Sequence, residues 1–383
     1  MFSNAVKLFS INRFDIKVDP SWLIIASLVT WSLSQEYFPG VLPGLSGAIY
    51  LTMALIGMLG LFASLLLHEL AHSVVARRLG ISVKTITLFI FGGIAELEEE
   101  PTSATAEFWI ALAGPALSFF LAFGFWVLST PSFLFSNTNA LREVLSYLAL
   151  INMVLALFNL VPAFPLDGGR VLRAYLWHRN GDVLAATRTA ARSGTIFAYF
   201  LMFLGISALF QGALMAGLWQ VMIGGFVLIA ARTSYTSQLA RIAFKNQPVR
   251  ALMSQDPITV GPEVTLSEFV NDTILAKGIS FVPVIEGDVL LGHIDQAVLK
   301  GIDRENWGNT RIGDVFVGLD QSAMVKPDVG ITDLLAIIAK TGRRKFMVVR
   351  DHRLLGVITL ADLSRHLRQD DGIRTAKSDL ARP

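Results

Sequence analysis

The 383-residue chain contains no cysteine. Disulfides, thiolate metal sites and cysteine nucleophiles are thereby excluded, and any metal must be held by histidine and carboxylate. Charge is scarce as well: Asp, Glu, Lys and Arg make up 16% of the residues, against roughly 25% in ordinary soluble domains. A net charge of +2 gives no basic field for nucleic acid, so no nucleic-acid partner is expected. With 53% hydrophobic residues and a mean hydropathy of +0.56, the composition is that of a membrane protein. No small-residue cleavage site follows Lys7, Arg13 and Lys17, so the N-terminus is expected to be retained.

The long apolar runs fill the first 235 residues or so, and the remainder reads as soluble sequence. Six runs, Trp22–Leu33, Leu45–Leu67, Phe108–Leu128, Val144–Leu160, Thr195–Phe210 and Ala213–Ala231, predict about six transmembrane helices. With a cytoplasmic N-terminus, the inner loops hold Lys7, Arg13 and Lys17, then Arg77, Arg78 and Lys84, then Arg170, Arg173, Arg179, Arg188 and Arg192. The outer loops hold only Arg142, so both termini are placed in the cytoplasm.

The second run contains His68-Glu69-Leu70-Ala71-His72. Residues four apart stack on one face of a helix, so the two imidazoles can bind one ion while Glu69 reaches the water that such an ion activates. From Gly47 to Val75 the only Asp, Glu, Lys or Arg is Glu69. Ionisable groups at membrane depth are costly unless they face a cavity, a partner or a metal.

The fourth run ends in Phe158-Asn159-Leu160-Val161-Pro162-Ala163-Phe164-Pro165-Leu166-Asp167-Gly168-Gly169-Arg170. Broken backbone at this depth must line protein or a cavity, which makes Asp167 a candidate third ligand; capping the following helix is its alternative. Asn159 can bond backbone or steady an oxyanion. His178 competes as a ligand but stands among arginines at the far end of that helix.

Between the second and third runs, Val83–Leu97 reads as a hairpin, with Phe91, Gly92, Gly93 and Ile94 at its turn and on its return strand. Such a strand could pair with an unwound substrate through a free edge, or it could simply cover the site. Ala113-Gly114-Pro115 in the third run reads as a small-residue packing site.

Taken together, these motifs resemble the site-2 protease family of intramembrane zinc metalloproteases over about the first 235 residues. The resemblance implies a zinc ion held by His68, His72 and Asp167, with Glu69 as general base and Asn159 in support. It also implies hydrolysis of a peptide bond in or near the transmembrane helix of a single-span membrane protein, in a prokaryotic cell membrane. No PDZ-like insertion is visible.

After Arg232 a repeat of about sixty residues with β-α-β-β-α order occurs twice, over 246–305 and 306–368, and resembles tandem CBS domains. The resemblance implies adenine-nucleotide binding at a Gly-x-x-Thr-x-x-Asp segment. The second copy keeps Thr359 and Asp362 there, whereas the first has Asp295 and Val298. A CBS pair used for homodimerisation or docking is the alternative. Residues 369–383 are polar and expected to be disordered.

The expected fold class is therefore a polytopic α-helical membrane domain followed by a soluble α/β CBS pair. The competing functional reading is a CBS-regulated metal-ion transporter or channel.

Overall fold

The computed structural model describes residues 5–11, 14–90, 92–97, 101–130, 140–351 and 353–369. Two units divide the chain, Met1–Thr236 and Ser237–Pro383. Residues 370–383, where a disordered tail is expected, lie outside the described residues.

Among the described residues, five helices are long and apolar enough to cross a membrane: α3 (Gly47–Arg78), α4 (Ala104–Ser129), α5 (Ala140–Asn159), α7 (Val183–Phe210) and α8 (Leu214–Ala243). The first apolar run is composite. It begins as α1 (Trp22–Ser32), passes through a π-helical turn at Leu33–Tyr37 and ends as α2 (Phe38–Val41), with helical backbone throughout. Several helices outrun their apolar cores because polar caps, rather than hydropathy, stop them. Asp182 accepts from the Leu184 and Ala185 amides at the start of α7, 2.8 and 3.1 Å, and Ser103 accepts from the Ala106 amide at the start of α4. Helix α4 packs against α3, α5 and α6 (Asp167–Asn180) and so stands centrally among them.

A four-stranded sheet accompanies these helices in the order β1 (Val6–Ile11), β2 (Phe14–Val18), β3 (Val83–Phe89), β4 (Gly92–Leu97). The β3–β4 hairpin is antiparallel, with Leu88 opposite Gly93 and Phe89 opposite Gly92. Among the described residues, strand β4 is the sheet's edge and pairs with β3 alone. Strands β1 and β2, short segments either side of Asn12-Arg13, were not evident from periodicity; β2 joins the hairpin in parallel, Ile16 opposite Ile86. Phe14, Ile16 and Ile86 bury their side chains with Ile110 of α4.

The second unit holds two three-stranded sheets. One comprises β5 (Phe281–Glu286), β6 (Val289–Asp295) and β7 (Val317–Gly318), and the other β8 (Met324–Val325), β9 (Lys345–Arg350) and β10 (Arg353–Thr359). The repeats exchange segments: Phe244 and Val249 sit in the core with Phe346, Val348 and Ile358, while Ile312 sits in the core with Val282, Val284 and Ile294. A third cluster, with Phe281 and Leu290 beside Met347 and Val357, joins the two halves.

Candidate metal centre

Helix α3 supplies His68 and His72 from one face, with Ser64 a turn before them; His68 is 2% exposed and His72 5%. Asp167 reaches them from the first residue of α6, after the helix of α5 has ended at Asn159 and the chain has turned through residues 160–166. Its Oδ2 lies 3.1 Å from Nε2 of each histidine. The three ligand atoms fall within 4.8 Å of one another.

The ring orientations are fixed from behind by α4. Nδ1 of His72 donates to the Ile110 carbonyl at 2.6 Å. A carbonyl can only accept, so the proton of a neutral His72 sits on Nδ1 and its Nε2 lone pair faces the cluster. Nδ1 of His68 lies 2.8 Å from Ser118 Oγ, which holds that ring in the same sense. Pro115 lacks an N–H and so leaves the Ala111 carbonyl without its helical donor, opening the backbone next to Ile110.

These residues fit a zinc ion. The donor set is two imidazoles and a carboxylate, each imidazole is anchored through its other nitrogen, and the third ligand is pre-positioned. Two ligands of one tetrahedral zinc stand about 3.3 Å apart, close to the 3.1 Å found here. Gly114 provides the space: a Cβ there would stand 2.2 Å from His72 Nε2 and 2.5 Å from His68 Nε2. The close helix approach expected at Ala113-Gly114-Pro115 is made at the histidines themselves, because Gly114 faces their Nε2 atoms.

The other predicted residues distribute as follows. Glu69 abuts the edge strand, since a Cβ on Gly93 would stand 2.6 Å from its Cγ. Gly92, with φ +136°, turns the chain into that strand. Phe91 lies outside the described residues, as does the side chain of Ile94, whose backbone pairs with Thr87. Asn159 closes α5, half-buried. His178 is exposed in the last turn of α6 and takes no part in the cluster.

The turn that delivers Asp167 is tightly packed. A Cβ on Gly168 would meet the Leu160 carbonyl oxygen at 2.2 Å, and one on Gly169 the Phe164 amide nitrogen at 2.4 Å. Sequence reasoning missed Ser118 and the Ile110 carbonyl. The first is one serine among many in an apolar helix, and the second is backbone, which leaves no side-chain signal. It also missed the buried pair of Glu107 on α4 and Arg173 on α6, having counted Arg173 as a loop charge.

In the CBS unit, Thr359 and Asp362 hold each other. Asp362 Oδ2 accepts from the Thr359 amide and hydroxyl at 3.1 and 2.7 Å, and the Asp362 amide donates back to Thr359 Oγ1. Both line a cavity of about 330 Å³ with Ser254, Asp256, Phe281 and Lys345. In the first repeat Asp295 instead caps α9 (Gln296–Lys300) through the Ala297 and Val298 amides.

The profile of Peptidase family M50 matches residues 56–136 and 132–204, and that of the CBS domain matches 249–297 and 314–369. Rip3 of Mycobacterium tuberculosis, which carries a zinc metalloprotease name, is 35% identical over 364 residues, 94% of this chain and 92% of that protein. Zinc metalloprotease MJ0392 of Methanocaldococcus jannaschii is 31% identical over 305 residues, 80% of this chain and 83% of that protein. A solved site-2 protease from the same organism is 27% identical, covering 60% of this chain and 95% of its own, with a TM-score of 0.43. With His68, His72 and Asp167 converging from α3 and α6 in a chain with five helices long and apolar enough to cross a membrane among its described residues, this multi-pass membrane chain belongs to peptidase family M50, the site-2 protease family of zinc metalloproteases, and carries two CBS domains.

Proposed function

We propose that the protein is an intramembrane endopeptidase, cutting a peptide bond in or near the transmembrane helix of a single-span membrane protein. The observation that carries this reading is the meeting of His68, His72 and Asp167 at a transmembrane helix, with Glu69 beside the free edge of a sheet. His68, His72 and Asp167 would hold zinc, which when bound would supply Lewis acidity for a water and for the scissile carbonyl. Glu69 takes the proton from the attacking water and passes it to the departing amine as the C–N bond breaks. Asn159, at the end of α5, steadies charge on the carbonyl oxygen.

A peptide bond inside a helix is shielded by its own hydrogen bonds, so the substrate must be extended before it is cut. Strand β4, with Gly92, Gly93 and Ile94, offers an edge on which an extended segment gains main-chain hydrogen bonds, and Phe91, which precedes it in the sequence, is assigned to the same substrate contact. The distribution of Lys and Arg supports placing both termini in the cytoplasm, and the organisms of the relatives support a prokaryotic cell membrane. The cleft at Thr359 and Asp362 is assigned to an adenine nucleotide that regulates cleavage, and the CBS pair to self-association. The alternative reading as an ion carrier has less support, because a carrier has no need of Glu69 as a base and the relatives carry metalloprotease names.

Incubating the purified protein in detergent with single-span substrates, beside a Glu69→Gln variant shown to retain zinc, tests the reading. The wild type is expected to cleave and the variant to lose about 10²–10⁴-fold in rate. Equal cleavage by both would remove Glu69 from the chemistry, and intact substrates with zinc flux in liposomes would establish the carrier.

A further inference from the structure

Helix α4 meets the metal centre along a single stripe. Glu107, Ile110, Gly114 and Ser118 recur at three- and four-residue spacing and therefore share a face. The last three touch the rings of His72 and His68, through a carbonyl, a missing side chain and a hydroxyl. Glu107, about one turn earlier, touches neither ring. It is fully buried, and its Oε1 accepts from Arg173 Nε at 2.6 Å and from Nη2 of the same guanidinium. Arg173 is 7% exposed, and its guanidinium lies 5.2 Å from the Phe164 ring centroid, in the turn just before Asp167.

A buried ion pair is a weak source of stability, because desolvating both charges offsets much of their attraction. What it does provide is register: two N–H groups of one rigid guanidinium on a single oxygen fix both distance and direction. The three ligands differ in their need for such a device. His68 and His72 share a helix, and their spacing is set by its pitch. Asp167 must meet them from the start of a separate helix, reached through a turn broken by two prolines, and Arg173 lies six residues further along that same helix.

We propose that Glu107 and Arg173 are positioning residues that lock α6 against α4 and thereby hold Asp167 on the two histidines, so that zinc affinity depends on the pair through Asp167. This inference rests on the reading of His68, His72 and Asp167 as the metal centre. Neither Glu107 nor Arg173 is a ligand.

Zinc affinity of the full chain in detergent, measured by competition with a chromophoric chelator, separates the possibilities. The set is wild type, Glu107→Gln, Asp167→Asn and the double variant. Glu107→Gln is expected to bind zinc about 10–100-fold more weakly. The double variant is expected to bind no more weakly than Asp167→Asn alone, because the effect runs through that ligand. Unchanged affinity in Glu107→Gln overturns the inference, and so does a further loss in the double variant, which would mark a general structural role. Should Glu107→Gln fail to fold, Arg173→Lys keeps the charge but not the fork, and the same several-fold loss, present with Asp167 and absent without it, is required. A wild type that binds no zinc overturns the metal-centre reading itself, whereas tight wild-type binding with no effect of the pair overturns only this inference.

Discussion

Gly114 shows how much a single absent atom can decide. The ring nitrogens of His68 and His72 lie where its Cβ would be, so Gly114→Ala either pushes the rings apart or fills the ion's place. Zinc binding is expected to be lost in this variant, read by metal content after purification, while the helix it sits in tolerates alanine by propensity. Retention of one zinc per chain would show that the rings can relax. The same scale explains what the sequence concealed. His68, Glu69 and His72 announce themselves by spacing, and Asp167 by its broken backbone. Gly114 looks like any small residue in a membrane helix, and the Ile110 carbonyl that fixes His72 is invisible to side-chain reasoning.

At the scale of elements, the edge strand and the catalytic helix are in van der Waals contact. Gly93 in β4 faces Glu69 in α3, and a methyl group there would stand 2.6 Å from the Glu69 Cγ. With Glu69 proposed as the general base and absent from the His68/His72/Asp167 group, Gly93→Ala is expected to lower cleavage at least tenfold, the scale of a misplaced proton-transfer group, while zinc content stays that of the wild type. Cleavage at the wild-type rate would show that Glu69 has room to move aside. The β3–β4 hairpin was legible because Gly92 and Gly93 interrupt a β-rich run. Strand β2, which covers the other side of β3 through the Asp15–Val18 pairing with Thr85–Leu88, was not, because five residues with two charges carry little periodic signal. The helices were legible as apolar runs but not in length, since Asp182 starts α7 twelve residues before the apolar segment Thr195–Phe210 begins.

At the scale of the whole molecule, the chain joins a membrane unit to a soluble one, and the soluble unit is expected to have its own pH dependence. His293 is 4% exposed, and its ring centroid lies 4.8 Å from that of Phe281. Burial pushes the imidazole below its ordinary value, and Arg343 and Lys345 push the same way while Asp295 and Asp320 oppose them. Below about pH 6.5 the unfolded chain takes up a proton at this position that the folded chain does not. Stability is therefore expected to fall as pH drops from about 6.5, by at most about 1.4 kcal/mol per pH unit, until His293 protonates in the folded state. The second repeat has Val357 in the matching place after its glycine. His293→Val is expected to reduce the difference in Tm of the CBS transition between pH 7.5 and 5.5, whereas an unchanged difference would assign the acid sensitivity elsewhere.

The sequence by itself determined the division into membrane and soluble parts, the repeat, the β3–β4 hairpin and the candidates His68, His72 and Asp167 that meet in the fold. Each is local: hydropathy, period and spacing are properties of neighbours along the chain. Tertiary structure decided which groups complete the site. Ser118, the Ile110 carbonyl and Gly114 come to the histidines, and Arg173 comes to Glu107, across gaps of 38 to 66 residues. No periodicity spans such gaps, and burial against a neighbouring helix alone gives these groups their meaning.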